Sequence, residues 1–194
     1  MKHLKWAVAL GGLLVLGQPA VQAEEKIYHT HSSEMVEELT REPMKYRSFA
    51  PPKKRAIKVV QRIDEKVEET TIMVDEKADI PKLKVKIEFD VNSSALKPAS
   101  FALLREVGTA LNADGVKHRI IMINGHTDSD GSDAHNLRLS FERAESVKGY
   151  LMSAYGISRD RLQVRGYGEM MPLRPNDSRG NKQINRRVEF EIAE

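Results

Sequence analysis

The sequence contains no cysteine, which excludes disulfide bonds, a cysteine nucleophile and a lipid attached through an N-terminal cysteine. An exported chain without disulfides depends on its own apolar core for stability. Long apolar runs are also scarce. The longest, residues 6–17, ends at Gln18 and Pro19, well short of the roughly 20 residues that a membrane span requires. We therefore expect the mature protein to be soluble rather than anchored.

Residues 1–23 have the layout of a cleavable secretory signal. Lys2 and Lys5 precede the apolar run, and residues 21–23 (VQA) place small side chains at the expected cleavage site. The alternative, an uncleaved membrane anchor, is disfavoured by the short run. Removal of the signal takes away two lysines and no acidic residue, so the net charge falls from +3 to +1. A nearly neutral exported protein is not expected to bind nucleic acid.

Residues 24–82 are rich in charge and poor in core-forming side chains. They contain 13 acidic residues, 12 lysines or arginines and only three aromatic residues. A segment of this composition seldom buries enough apolar surface to offset the entropy of ordering the chain. We therefore expect a charged, largely flexible spacer. Two β-prone runs, residues 56–60 and 70–74, leave a small hairpin as the alternative.

Residues 83–194 show regular hydrophobic spacing, which predicts one domain of normal size. The predicted elements are a strand at 85–89, a helix at 98–111, a buried strand at 119–125, a second helix capped by Ser132 or Asp133, a strand at 162–168 and a strand at 188–192. This βαβαββ order is typical of an α+β sandwich, with the helices packed on one mixed sheet.

The stretch 124–144, NGHTDSDGSDAHNLRLSFERA, runs from the central strand through a loop into the second helix. That edge of a sheet, opposite a helix N-terminus, is where ligands tend to bind. Asn136, Ser140 and Arg143 follow i, i+4, i+7 spacing and therefore share one polar stripe. Asp128 lies in the loop before the helix, so an acid and a base are predicted to line one cleft.

A metal site in this stretch fits no established ligand spacing. The candidate ligands are His126, Asp128, Asp130, Asp133 and His135. A calcium loop starting at Asp128 would need glycine at its sixth position and a glutamate at its end, and neither is present. The two histidines are nine residues apart across a loop, which does not match a zinc hydrolase. No serine lies in the Gly-x-Ser-x-Gly turn of a hydrolase.

Two interpretations of the charged pair stay open. Asp128 and Arg143 could together hold a ligand that carries an ammonium and a carboxylate group, because the arginine fork matches a carboxylate and the aspartate accepts from an ammonium. Alternatively, the two side chains form an internal salt bridge or a solvated pair of little energetic value. Their spacing alone does not decide between these.

Several motifs resemble the OmpA-like C-terminal peptidoglycan-binding domain. They are FDVNSSALKP at 89–98, INGHTDSDGSDAHNLRLSFERAESVKGYL from residue 123, GISRDRLQVRGYGEMMP from residue 156 and NRRVEFEI from residue 185. The same module occurs in peptidoglycan-associated lipoproteins and flagellar stator proteins. The match covers about residues 82–194, and its motifs stand in the expected order and spacing. Residues 24–82 lie outside it.

The resemblance implies that the ligand is the diaminopimelate of the peptidoglycan stem peptide. Asp128 of the HTD motif would face its ammonium group, and Arg143 of the LSxxRA motif would hold its carboxylate. The resemblance places further residues in the pocket or at its edges: Thr127, Asn136, Asp90, Asn92 and Val188. His135 departs from the family's pattern and receives no role.

We therefore predict a periplasmic protein that binds peptidoglycan non-covalently and is tethered or positioned at the cell wall. We expect neither a cofactor nor catalytic activity. The alternative is a metal-assisted cell-wall hydrolase that uses His126, Asp128 and His135. Any envelope protein that binds residues 24–82 is left undefined by the sequence.

Overall fold

A computed structural model of the protein describes residues 28–43, 54–63, 65–75, 81–90 and 92–193. The predicted signal peptide lies outside these ranges. Among the helices that they contain, none is both long and apolar enough to cross a membrane.

Six strands of the described chain form one mixed sheet in the spatial order β2-β1-β5-β4-β6-β3. The strands are β1 Lys54–Ile63, β2 Lys66–Asp75, β3 Lys82–Val85, β4 Ile121–Gly125, β5 Leu162–Gly166 and β6 Val188–Ile192. The helices are α1 Ser32–Thr40, α2 Phe101–Leu111, α3 Asp133–Tyr155 and α4 Arg179–Asn185. β4 and β5 are parallel, and the other neighbouring pairs are antiparallel. The order β3-α2-β4-α3-β5-β6 confirms the predicted α+β fold, to which α1, the β1–β2 hairpin and α4 are added.

One face of the sheet packs against the helices and forms the main core. Side chains from β3, β4, β5 and β6 meet the apolar stripes of α2 and α3 there, and many of them are fully buried. The predicted helix positions are buried, except that Phe101 is 38% exposed and stacks on Tyr150 at a centroid distance of 5.0 Å. The helical periodicity therefore identified the core correctly, apart from this position at the start of α2.

The strand predicted at residues 85–89 lies three residues earlier, at Lys82–Val85. It pairs with β6 from Lys82 opposite Glu191 to Val85 opposite Val188. Because β6 begins at Val188, residues beyond 85 have no strand to pair with. They leave the sheet and run towards the site described below.

The prediction of a flexible spacer is wrong for two stretches of residues 24–82. Helix α1 buries Met35 and Leu39 in the main core. The alternative of a hairpin is the correct one for β1 and β2, which pair along ten residues and join β5 where Val60 lies opposite Gly166. A few apolar side chains on one face suffice to dock each element, although the average composition conceals them. The domain boundary at residue 82 and the cleavage after residue 23 stay predictions.

The N-terminal end of the described chain covers the outer edge of β3. The backbone N–H of His29 donates to Lys84 O at 2.9 Å, and the Lys84 N–H donates to Nδ1 of the same histidine at 3.2 Å. Helix α1 is held nearby, because the N–H of Ser32 donates to a carboxylate oxygen of Glu106 on α2 at 3.1 Å. Strand β2 forms the opposite edge of the sheet.

Candidate functional site

The candidate site lies where β4 passes into the loop before α3. Two backbone hydrogen bonds extend the sheet beyond the strand: His126 N–H donates to Arg187 O at 3.0 Å, and Thr127 N–H donates to Gly168 O at 2.9 Å. The loop then turns into α3, whose N-cap is Ser132, as predicted; its hydroxyl accepts from the N–H of His135 at 3.3 Å. The loop that carries Asp128 is therefore fixed at both ends.

Glycines let α3 approach the two central strands closely. A Cβ atom at Gly125 would lie 2.0 Å from the backbone oxygen of Ser140, and one at Gly166 would lie 2.6 Å from the nitrogen of Phe141. Such contacts are sterically forbidden, so only glycine fits at these positions. The hydroxyl of Ser140 accepts from Gly168 N–H at 2.9 Å and donates to Leu137 O at 2.8 Å. Ser140 therefore packs against the strands, although its spacing predicted a polar stripe shared with Asn136 and Arg143.

A cavity of about 480 Å³ opens beside this loop. Six of the seven predicted site residues line it: Asp90, Asn92, Thr127, Asp128, Asn136 and Arg143. Val188 does not. Its side chain is buried in the main core opposite Gly125, so its prediction as an edge residue is corrected. Asn92 has a φ of 52°, in the left-handed region that asparagine tolerates better than most residues.

Arg143 is almost fully buried in the wall of this cavity, with 7% of its surface exposed. Its Nε donates to Ser93 O at 3.0 Å, and its Nη2 donates to Asp90 O at 3.3 Å. The guanidinium also lies 4.9 Å from the centre of the Phe89 ring, a favourable cation–π position. Arg143 thus fixes the loop after residue 89 and also places a positive charge in the wall of the cavity.

Asp128 does not form the internal salt bridge with Arg143 that the sequence left open. Its carboxylate instead pairs with Arg186 and accepts from the N–H of Asp130 at 3.0 Å. Burial lowers the pKa of Arg143, the positive charge of Arg186 lowers it further, and the negative charge of Asp128 opposes both. The cavity therefore presents an acid and a base that feel each other's charge without a hydrogen bond between them.

Asn136 joins the loop to the segment after β5. Its Nδ2 donates to Asp128 O at 3.2 Å and to a carboxylate oxygen of Glu169 at 2.7 Å. The hydroxyl of Thr127 is buried and has no hydrogen-bond partner among the described residues. Asn136 therefore positions the aspartate, and Thr127 retains a polar group for a ligand.

The metal site of the hydrolase alternative is not formed. Within the described residues, no group of three or more His, Asp or Glu side chains is arranged to hold a metal ion. His135 lies exposed on the first turn of α3, whereas His126 is buried. Asp130 instead pairs with Lys182 of α4 at 2.6 Å.

Sequence reasoning missed the cations that α4 and the chain after it bring to the cavity. Arg179 and Arg186 both line it, and Arg186 is the partner of Asp128. The pairing of β4 with β6 would have revealed these cations. Since Gly125 lies opposite Val188, the residues that follow β4 must lie beside those that precede β6. That pairing was not predicted.

Arg187, Glu189 and His126 form a buried polar group beneath the loop. Arg187 Nε donates to the Glu189 carboxylate at 2.7 Å. Burial would raise the pKa of Glu189, but the positive charge on His126, when its imidazole is protonated, and on Arg187 and Lys82 lowers it to about 2. Burial also lowers the pKa of His126 well below its ordinary value, helped by the charge of Arg187. At neutral pH His126 is therefore uncharged, and the other two cations balance the carboxylate.

Comparison with known proteins identifies the class. The model of the OmpA family matches residues 88–186, just over half of the chain. Outer membrane porin F of Pseudomonas aeruginosa is 35% identical over 118 residues, which is 59% of this chain and 32% of that protein. Outer membrane protein A of Bordetella avium is 41% identical over 105 residues, covering 54% of this chain and 53% of the relative. The chain thus spans about a third to a half of the length of these relatives.

Solved structures give the same result for the fold. A putative MotB-like protein from Desulfovibrio vulgaris is 28% identical, with a TM-score of 0.51 over 70% of this chain and 80% of that one. The C-terminal domain of Helicobacter pylori MotB, at 23% identity, shares the fold with a TM-score of 0.50 over 56% of this chain and 83% of its own. The chain belongs to the OmpA family, which confirms the resemblance found in its sequence.

Proposed function

We propose that this protein binds peptidoglycan non-covalently, through the diaminopimelate of the stem peptide, and is thereby tethered to the periplasmic cell wall. The observation that carries the proposal is that Asp128 and Arg143 line one cavity with opposite charges and no bond between them. The side-chain end of diaminopimelate bears an ammonium and a carboxylate group on one carbon. Membership of the OmpA family supports the same ligand class.

The ligand's two charged groups have separate places in this cavity. Its carboxylate would lie against the guanidinium of Arg143, whose Nη1 donates to none of the described residues. Its ammonium would donate to Asp128 and compete there with Arg186. That arginine is 39% exposed in its side chain, so it can move towards solvent when the ammonium arrives. The buried hydroxyl of Thr127 supplies a further hydrogen bond.

The role proposed is binding without catalysis and without a cofactor, in a protein exported to the periplasm after removal of residues 1–23. Helix α1 and the β1–β2 hairpin add surface outside the segment that matches the family model. An envelope protein partner, if the protein has one, would bind there.

Co-sedimentation with purified sacculi tests the proposal. The mature protein should sediment with sacculi containing diaminopimelate, release no muropeptides, and be unaffected by a chelator. Sacculi in which lysine replaces diaminopimelate lack the second carboxylate and should retain much less protein. His135→Ala serves as the control, since this exposed side chain lies outside the cavity. Equal binding to both kinds of sacculi would refute the diaminopimelate assignment, and chelator-sensitive release of muropeptides would refute the binding-only role.

A further inference from the structure

A second cavity lies on the face of the sheet opposite α2 and α3. Because Ile123 and Phe190 face the helices, their neighbours Asn124 and Glu189 face the other way. The cavity measures about 640 Å³ there. His126 and Arg187 line both this cavity and the Asp128 cavity, and the other lining residues of the two cavities differ.

Polar residues cross this face at one level of the sheet. The strand register places Lys84 opposite Glu189, Glu189 opposite Asn124, and Asn124 opposite Arg165. Adjacent strands bring such facing side chains to within about 5 Å of each other. Arg165 is satisfied, because its Nε donates to the side chain of Gln61 at 3.1 Å. The rest of this row, Lys84, Glu189 and Asn124, borders the cavity.

The floor of the cavity carries unused hydrogen-bonding groups. Asn124 is 1% exposed and His126 is 4% exposed. The side-chain oxygen of Asn124 and both ring nitrogens of His126 have no hydrogen-bond partner in the described part of the chain. A buried polar atom without a partner costs free energy, which a ligand recovers by bonding to it. The asparagine oxygen requires a donor, such as an amide N–H.

The charge around the cavity favours an anion. Five cationic residues line it, against the two acids Glu38 and Glu189. Both acids are engaged, Glu38 with Arg41 at 3.1 Å and Glu189 with Arg187 at 2.7 Å. The remaining cations are Arg55, Lys82 and Lys84.

Lys82 and Lys84 differ in how their charge is balanced. Lys82 lies 3.2 Å from Glu191, whereas no carboxylate of the described residues lies within ion-pair distance of Lys84. The Lys84 ammonium is therefore available to a bound carboxylate. Lys84 and Asn124 stand on either side of Glu189, and the flexible lysine stem allows the ammonium to approach the asparagine oxygen that needs a donor.

We propose that this second cavity binds a peptide-type carboxylate, with the carboxylate at Lys84 and an adjacent amide N–H donating to Asn124. A peptide carboxyl terminus has these two groups in sequence. Such a terminus occurs both in proteins and in wall peptides, which differ in the configuration of the terminal residues. The site shares His126 and Arg187 with the cavity of the proposed diaminopimelate site, but Lys84 and Asn124 line the second cavity alone.

Two-dimensional NMR of the mature chain, titrated with N-acetyl-alanyl-alanine, tests this proposal. We expect saturable chemical-shift changes at Asn124 and Lys84. Added salt should weaken the binding, and the C-terminal amide of the same dipeptide should cause no such changes. Lys84→Gln should weaken binding at least about fivefold, and Asn124→Leu should weaken it further, while the exposed control Lys117→Gln leaves it unchanged. Comparison of the L,L and D,D dipeptides identifies the source of the natural ligand.

Sacculus binding separates this site from the first one. Lys84→Gln should still distinguish sacculi that contain diaminopimelate from those that contain lysine, and Arg143→Ala should still bind the dipeptide. The proposal is overturned if the dipeptide causes no saturable shift at 10 mM (a concentration about tenfold above a 1 mM Kd), if its amide binds equally well, or if Arg143→Ala rather than Lys84→Gln abolishes the shifts.

Discussion

Replacement of Arg143 tests ligand capture and structural support at one position. Arg143→Ala removes the group proposed to hold the ligand carboxylate, a charge-assisted contact worth about 1.5–3 kcal/mol, or roughly ten- to a hundredfold in affinity. It also removes the hydrogen bonds to Ser93 O and Asp90 O and the contact with Phe89. We therefore expect it to lower the free energy of unfolding by about 2 kcal/mol.

Arg143→Lys distinguishes charge from geometry at the same position. An ammonium keeps the positive charge but cannot donate in the planar fork that a carboxylate fits. Affinity should lie between those of the parent and the alanine variant. Asp128→Asn should weaken binding to a similar extent as Arg143→Ala, because it removes the charge that faces the ligand ammonium.

Arg138→Ala is the matched control on the same helix. Arg138 is 82% exposed in its side chain and pairs only with Glu142, one turn away, at 2.9 Å. Such a surface pair contributes about 0.5 kcal/mol or less. Sacculus co-sedimentation over a range of protein concentrations gives the affinities, and urea denaturation at the same temperature shows that each variant is folded. If folded Arg143→Ala bound sacculi as Arg138→Ala does, the assignment of the site would be refuted.

Three further changes test the fold. Gly125→Ala should destabilise the domain by about 3 kcal/mol or more, since its Cβ would lie 2.0 Å from a backbone oxygen of α3. Gly149→Ala is the control: a Cβ there meets nothing within 4 Å, so this change should stabilise the helix by about 0.5–1 kcal/mol. Urea denaturation measures both. Burial lowers the pKa of His126 below its ordinary value of 6.5, so the unfolded chain takes up this proton more readily and stability should decline as pH falls below about 6.5. His126→Gln should flatten that decline between pH 6.5 and 5, as followed by thermal melts, and an unchanged slope would contradict the burial of an uncharged imidazole. Met35→Ala should cost about 2–4 kcal/mol because the side chain is fully buried, while exposed Glu37→Ala should change little; equal stabilities would show that α1 is not docked.

Elements with strong periodicity were predictable from the sequence. The stripe that includes Leu137, Phe141 and Val147 identified α3, and the apolar run around Ile123 identified the central strand. Ser132 was correctly expected as a cap because its position and chemistry are local. The meeting of Asp128 and Arg143 at one cavity followed from the same local frame, since these two residues need only α3 and its preceding loop to share a cleft.

What the sequence concealed depends on contacts distant in the chain. Arg186 pairs with Asp128 only because β6 lies beside β4. Glu189 alternates as a solvent-facing residue would, yet the segment that follows β5 covers it, and Arg187 donates to Met171 O at 3.0 Å. Helix α1 was not predicted, because its two buried apolar residues barely change the average composition of a segment that is rich in charge.

The two outer strands of the sheet have different exposure to foreign chains. Along β3, the segment at His29 occupies the hydrogen-bonding positions that an incoming strand would need. Strand β2 instead carries charged side chains at both ends and in its middle, including Lys66, Glu68, Glu69 and Asp75. Free edges invite polymerisation, and charge on an edge strand discourages it. Loss of residues 28–30 by proteolysis would therefore convert β3 into a template for strand addition, and a chain shortened in this way would be more prone to self-association than the intact protein.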